Sequence, residues 1–98
     1  MHIEKEVRQA IIELARNYDS IDKIILFGSR VRGDHHRTSD IDLAVWSTES
    51  ISEFVYLLDE HVPTLLEFDI SHMEEIEDSL FIEQVLKEGI ILYEKSRL

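Results

Sequence analysis

Apolar residues recur at helical spacing near the start of the chain, at Ile3, Val7, Ile11, Leu14 and Tyr18. Polar residues fill the positions between them, so one apolar face would pack on a core. We therefore predict an amphipathic helix over residues 3–18.

The run that follows, residues 23–27, is apolar, rich in β-branched side chains and ends at Gly28, which is typical of a buried strand.

The middle of the chain continues with two strands and a helix. Residues 40–46 have β character and begin with the polar–apolar alternation of Asp40 to Leu43, which predicts a second strand. Residues 50–53, Ser-Ile-Ser-Glu, have the form of a capping box, so a helix should begin there and end before Pro63. The apolar residues within 65–70 predict a third strand.

The last part of the chain adds one helix and one strand. Residues 71–74, Ser-His-Met-Glu, form a second candidate capping box. Residues 80–87 read as a helix, with Gly89 as its C-terminal cap. Residues 90–93 are apolar and predict a fourth strand.

The predicted order is helix, strand, strand, helix, strand, helix, strand, which indicates an α+β fold of two layers. A small mixed sheet of about four strands would be covered by the helices. Because 98 residues match the size of one core, we predict a single domain over residues 1–98.

Charge is distributed unevenly along the chain. The formal net charge is −11, and the segment between Thr38 and Leu86 has thirteen acidic residues but no Lys or Arg. This argues against binding of DNA or RNA through phosphates and favours cations and a basic partner. No cysteine is present, and no apolar run approaches the ~20 residues that span a bilayer. We expect a cytoplasmic protein without membrane binding, and a homo-oligomer is compatible with the sequence.

Asp40 and Asp42 are the first candidates for chemistry, because side chains at i and i+2 of a strand share a face about 6.5 to 7 Å apart. Ile41 and Leu43 would then point into the core. Two carboxylates this close cost free energy unless a cation neutralises them, which indicates a metal site. The alternative is that both are polar residues on a solvated strand face.

Asp69 is the third candidate acid, since a third strand beside the second would bring it to the same site. The alternative is that Asp69 is a strand residue that faces solvent. Glu67 would share the face of Asp69, so the alternation of charge leaves open which of the two acids is the ligand.

Gly28 and Ser29 directly follow the first predicted strand, where a turn can present N–H groups and a hydroxyl to a phosphate. By itself, such a dipeptide usually marks an ordinary turn. Arg30, Arg32 and Arg37 follow within eight residues. Each could stabilise phosphate charge, and each could equally be a solvated loop residue.

Residues 28–43 combine Gly-Ser, a spacer of ten residues and Asp-x-Asp on a predicted strand. This joint pattern resembles the signature of the DNA polymerase β-type nucleotidyltransferase superfamily. The Gly-Ser-Arg-x-x-Gly opening and the short chain resemble, more narrowly, the minimal nucleotidyltransferases (MNT), which pair with HEPN-domain partners. The resemblance covers residues 21–70 well and the flanking helices loosely, and it implies the polymerase β-like nucleotidyltransferase fold.

The resemblance also implies a role for each residue of the pattern. The nucleotide-binding positions would be Gly28, Ser29 and Arg30. The catalytic and metal-binding positions would be Asp40, Asp42 and Asp69, which would hold two Mg²⁺ ions. Asp69 would complete the second metal site near the acceptor hydroxyl and could act as the general base.

The implied activity is Mg²⁺-dependent transfer of AMP from ATP to a hydroxyl group. The resemblance to MNT proteins implies an antitoxin that modifies a tyrosine of a basic HEPN-type ribonuclease toxin. One alternative is a non-catalytic antitoxin that only covers its toxin. Another is nucleotidylation of a small molecule, although relatives of that kind carry an additional acceptor domain. The intact set of glycine, serine and aspartates favours an enzyme, because a cover does not need it.

Overall fold

The computed structural model describes residues 2–95. In chain order its elements are α1 Lys5–Ala15, β1 Ile21–Phe27, α2 Ser29–Arg32, β2 Ile41–Ser47, α3 Ser52–His61, β3 Phe68–His72, a 3₁₀ helix Met73–Glu75, α4 Ser79–Glu88 and β4 Ile90–Glu94. No helix in this part of the chain is long and apolar enough to cross a membrane.

The four strands form one mixed sheet in the order β3-β2-β1-β4. β1 is antiparallel to both β2 and β4, whereas β2 and β3 are parallel. The predicted α+β fold with a four-stranded mixed sheet is therefore confirmed. This topology brings the C-terminal end of β1 beside the N-terminal ends of β2 and β3.

Side-chain alternation along the strands divides the core between the two faces of the sheet. On one face, strand residues pack with α1 and α3 in a cluster that includes Val7, Ile11, Leu26, Ile41, Leu43, Phe54 and Leu58. On the other face, a smaller cluster joins the sheet to the 3₁₀ helix and α4 through Ile25, Ala44, Met73 and Val85. Ile41 and Leu43 are buried as predicted, and alternation places Asp42 on the face of α4, together with Ala44.

The predicted bounds of the third strand were wrong. The strand begins at Phe68 rather than at Leu65, and it continues through Ser71 to His72. Leu65 is fully exposed, at 105% relative accessibility, in the turn that precedes the strand. The prediction of a capping box over residues 71–74 was also wrong, because Ser71 and His72 pair with β2.

The helix ends also differ from the predictions. α1 is shorter than residues 3–18, and α3 has Ile51 as its N-cap. Ser50 Oγ accepts a hydrogen bond from the backbone N–H of Ser52 at 3.3 Å, but the Glu53 carboxylate accepts from the Tyr18 hydroxyl instead of closing a capping box. α4 is capped by the Asp78 side chain, which accepts from two backbone N–H groups, and it ends before Gly89 as predicted.

Candidate active site

The turn after β1 is built around Gly28. This residue has φ 81° and ψ −155°, a backbone conformation open essentially to glycine alone. The carbonyl of Gly28 accepts hydrogen bonds from the N–H groups of Val31 and Arg32, and the short helix α2 begins at Ser29. A Cβ atom at Gly28 would overlap Asp42 Oδ2. The missing side chain therefore lets the Gly28-Ser29 turn lie directly against a carboxylate of β2.

The sheet places the predicted acids side by side. Asp42 pairs in register with Phe27 on β1 and with Asp69 on β3. Because β2 and β3 are parallel, the side chains of residues paired in this way point to the same face. Asp40 precedes β2 by one residue and is exposed, as is Asp69, whereas Asp42 is half-buried between them.

The environment of Asp42 disfavours its charged form. Burial, followed by the neighbouring carboxylates of Asp69 and Asp40 and a hydrogen bond with Asp69, raises the pKa of Asp42 from 3.8 to about 6. The positive charge of Arg32 acts in the opposite direction. Three acids thus interact at one end of the sheet, and either a proton or a cation can relieve their repulsion.

The resemblance implies Mg²⁺ ions at the acid cluster. No group of three His, Asp or Glu side chains in residues 2–95 is already assembled in a geometry that could hold a metal ion. Carboxylate oxygens are nevertheless the donors that Mg²⁺ prefers, and Asp42 is crowded by two further carboxylates. The donor chemistry and the charge of the cluster therefore fit Mg²⁺, with Asp40, Asp42 and Asp69 as its candidate ligands.

The structure distinguishes the three arginines that the sequence left equivalent. Arg30 is buried, at 6% relative accessibility, and its guanidinium donates to the backbone carbonyls of His2, Arg37 and Ser39. This geometry favours a structural role over the predicted contact with nucleotide. Arg32 is exposed, pairs with Asp34 at 3.3 Å and is near enough to Asp42 to lower the pKa of that carboxyl. Arg37 is exposed.

A small cavity of about 120 Å³ lies beside Gly28. Its lining residues come from the end of β1, the turn and α2 that follow it, and α4: Phe27, Gly28, Arg32, Phe81, Gln84, Val85 and Glu88. Phe27 and Phe81 meet edge to face with 5.5 Å between their ring centroids. The contribution of α4 was not foreseen, because helical periodicity shows that α4 is amphipathic but not which strand end it covers.

An open groove of about 1080 Å³ does not include Asp42 or Asp69. It lies between the N-terminal segment, the loop after α2 and the end of α3, and it is lined in part by Val7, Arg37, Val62 and Leu66. A second open groove of about 580 Å³ passes Asp40 and is also lined by Arg37, Thr38, Leu65, Leu66 and Glu67. We place the candidate site at the acid cluster, because that is where the charged groups and the Gly28 turn converge.

The family model described as "Polymerase beta, Nucleotidyltransferase" matches residues 9–98. The chain therefore belongs to the polymerase β nucleotidyltransferase family, as the Gly-Ser and Asp-x-Asp pattern predicted, and its class of enzyme is nucleotidyltransferase. It is 34% identical to a protein of Methanocaldococcus jannaschii that is named a protein adenylyltransferase; the similarity covers 95% of this chain and 100% of that protein.

Solved structures show the same fold. A crystal structure of a toxin-antitoxin with AMP-PNP superposes with a TM-score of 0.71 at 26% identity, covering 91% of this chain and 74% of the other. A structure of tri-AMPylated Shewanella oneidensis HEPN toxin in complex with MNT antitoxin superposes with a TM-score of 0.65 at 23% identity, covering 91% of this chain and 71% of the other. At that identity the second likeness shows the fold alone.

Proposed function

We propose that this chain is a Mg²⁺-dependent nucleotidyltransferase that transfers AMP from ATP to a hydroxyl group of a protein. The observation that carries the proposal is the packing of the Gly28 turn against Asp42, with Asp69 paired beside Asp42. A turn that presents its backbone to a phosphate and a cluster of carboxylates that attracts Mg²⁺ are the two parts that nucleotidyl transfer needs.

The reaction would form a bond between the acceptor oxygen and the α-phosphorus of ATP and break the bond from that phosphorus to the bridging oxygen. Pyrophosphate would leave along the Gly28-Ser29 turn, where the charge of Arg32 also acts. Asp69, the exposed acid of the pair, would accept the proton of the acceptor hydroxyl. Bound Mg²⁺ would stabilise charge on the attacking and leaving oxygens.

The acceptor we propose is a tyrosine of a basic HEPN-type toxin, so that transfer would make this chain an antitoxin. The names of the Methanocaldococcus relative and of the 26% identical toxin-antitoxin structure support a protein acceptor within such a pair. The groove beside Asp40 is open and has the fully exposed Leu65 on its wall, which suits a protein surface better than an enclosed small molecule.

The position of the label on ATP tests the reaction type. The purified chain would be incubated with Mg²⁺ and with ATP labelled on either the α- or the γ-phosphorus. The candidate acceptor in this mixture would be the protein encoded by the neighbouring gene. We expect the α label to enter the acceptor protein and the γ label to remain in released pyrophosphate. Transfer of the γ label would indicate a kinase, and no transfer of either label to this acceptor would contradict the proposal.

Removal of Mg²⁺ should weaken ATP binding by about tenfold or more, equivalent to about 1.4 kcal/mol. The reason is repulsion between the triphosphate and the carboxylates around Asp42, which no cation offsets in a chelator. Titration calorimetry in Mg²⁺ and in excess chelator measures the difference. Adenosine is the matched control, since it lacks the phosphates and its weak binding should not depend on Mg²⁺. Equal ATP affinity in both buffers would refute this prediction.

A further inference from the structure

Arg30 is a buried cation whose hydrogen-bond partners, in the part of the chain that the structure describes, are backbone carbonyls rather than carboxylates. Its Nε and Nη2 donate to the Ser39 carbonyl at 3.1 and 2.9 Å. Nη2 also donates to the Arg37 carbonyl at 3.4 Å, and Nη1 donates to the His2 carbonyl at 3.0 Å. The backbone N–H of His2 in turn donates to the Arg30 carbonyl at 2.9 Å.

These bonds join Arg30 to the N-terminal segment at His2, 28 residues away, and to the loop at Arg37 and Ser39, seven and nine residues away. Burying a charged group costs free energy unless its donors are satisfied, and here four N–H···O contacts occupy four of the five N–H donors of the guanidinium. The planar guanidinium fork can reach three carbonyls at once, whereas a lysine ammonium is a single point at the end of a flexible chain. The site therefore requires arginine for its shape as well as for its charge.

The two ends of this connection are neighbours of the proposed catalytic groups. Arg30 directly follows Ser29, and Ser39 directly precedes Asp40. We propose that Arg30 is a positioning residue that fixes Asp40 relative to the Gly28-Ser29 turn by holding the loop over residues 33–40. This inference rests on the proposed function, because it assigns Arg30 to the same reaction through Asp40 and not through contact with ATP.

The alternative role, contact with the nucleotide, would require donors that are free to turn towards a phosphate. Four of the five N–H donors of Arg30 are engaged by carbonyls, and its side chain is buried. Arg32 has the opposite properties, because its side chain is 46% exposed and its charge acts on Asp42. The two arginines therefore differ in role: the charge of Arg32 is available near Asp42, whereas Arg30 holds the loop.

Hydrogen exchange tests the positioning role without any measurement of activity. The reporters are two amides of the loop: His36 N–H donates to Ser39 Oγ at 2.8 Å, and Ser39 N–H donates to the His36 carbonyl at 3.1 Å. In the wild-type chain these amides should exchange more slowly than those of the exposed residues of the 62–67 turn. In Arg30→Lys and Arg30→Met they should exchange about tenfold faster or more, while β1 and β2 keep their protection.

Kinetics provide the second readout. With Arg30→Lys we expect kcat to fall about 10- to 100-fold, as for a misplacement of about 1 Å, while KM for ATP at saturating Mg²⁺ stays within about twofold. The Mg²⁺ concentration for half-maximal rate should rise. Arg16→Lys, an exposed arginine after α1, is the matched control and should match the wild type in both exchange and rate.

Different results would contradict either the positioning role of Arg30 or the proposed function. Unchanged exchange in both Arg30 variants, or wild-type loop amides that exchange as fast as those of the exposed residues of the 62–67 turn, would overturn the positioning role. A raised KM for ATP with unchanged kcat would overturn it in favour of a nucleotide contact. If the wild-type chain transfers no nucleotide, the proposed function fails, and the exchange measurement alone then decides whether Arg30 holds the loop.

Discussion

Asp42→Asn should abolish nucleotidyl transfer, with a loss of about 10³-fold or more, as expected when one charge-stabilising group is removed from a phosphoryl-transfer site. The substitution removes the charge of the half-buried member of the acid cluster but keeps its shape. Initial rates of transfer from α-labelled ATP measure the effect. The fold should persist, because the buried neighbours of Asp42 in β2, Ile41 and Leu43, are unchanged.

The same substitution should leave the melting temperature in chelator equal to that of the wild type or higher. The raised pKa of Asp42 means that the folded chain binds a proton more tightly than the unfolded chain, so the wild type loses stability as pH rises from about 4 to about 6. Asn has no such dependence. The gain from Asp42→Asn should therefore be absent near pH 4 and complete above pH 6 in a series of thermal melts.

Two further variants are compared with Asp42→Asn, the first of them as a control. Asp59→Asn removes a carboxylate from the exposed face of α3 and should transfer at the wild-type rate. Asp69→Asn should also lose turnover but retain some binding of Mg²⁺ and ATP, because Gly28, Ser29 and the other two acids remain. Full activity of Asp42→Asn would show that Asp42 is not part of the site, and an Asp69→Asn chain that binds neither Mg²⁺ nor ATP would contradict the expected retention of binding.

Gly28→Ala should reduce transfer by about 100-fold or more, because the new methyl group forces the Asp42 carboxylate out of its position. The substitution should also cost about 1–3 kcal/mol of stability, since alanine cannot adopt the Gly28 backbone conformation without strain. Rates at saturating ATP and denaturant melts separate the two effects.

Gly33→Ala is the matched control for Gly28→Ala. Gly33 also has a positive φ, 87°, but a Cβ there would meet the His2 ring at 3.2 Å and not a proposed ligand. Its stability should fall in the same direction, while most of the transfer rate remains. If Gly28→Ala and Gly33→Ala lost activity to the same extent, strain of the loop, and not displacement of Asp42, would be the cause.

The acid cluster was predictable because strand periodicity is local. Alternation over residues 40–43 placed Ile41 and Leu43 in the core and Asp42 on the other face, as the structure shows. The prediction that Asp69 lies beside Asp42 needed one further assumption, that the third strand pairs with the second. The register distinguishes Asp69 from Glu67, since Asp69 pairs with Asp42, whereas Glu67 lies before the strand and its carbonyl accepts a hydrogen bond from Ile41 N–H.

The start of the third strand was not predictable from hydrophobicity. Leu65 and Leu66 continue an apolar run, but Leu66 N–H bonds to Thr64 Oγ1 in a turn, and pairing with β2 begins at Phe68. Leu66 packs against the α1 and α3 side of the core from this turn. An apolar side chain such as Leu66 thus indicates burial. The strand begins where the backbone pairs with β2, and hydrophobicity does not show that position.

The role proposed for Arg30 could not be predicted from the sequence, because it depends on carbonyl groups elsewhere in the chain. An arginine after Gly-Ser looks like a phosphate ligand when only its neighbours in sequence are considered. The carbonyls that bind it belong to His2, Arg37 and Ser39, and nothing in their side chains marks them as partners. Arg32, two residues later, has no distinguishing local pattern either, and only its position relative to Asp42 sets it apart.

The intact mass of the partner protein tests the central claim most directly. After incubation of the neighbouring gene product with the chain, Mg²⁺ and ATP, we expect increments of about 329 Da, one for each AMP added to a hydroxyl. The same mixture with Asp42→Asn should leave the mass unchanged. A stable complex with bound ATP but no change in mass with the wild-type chain would contradict the account and favour an antitoxin that only covers its toxin.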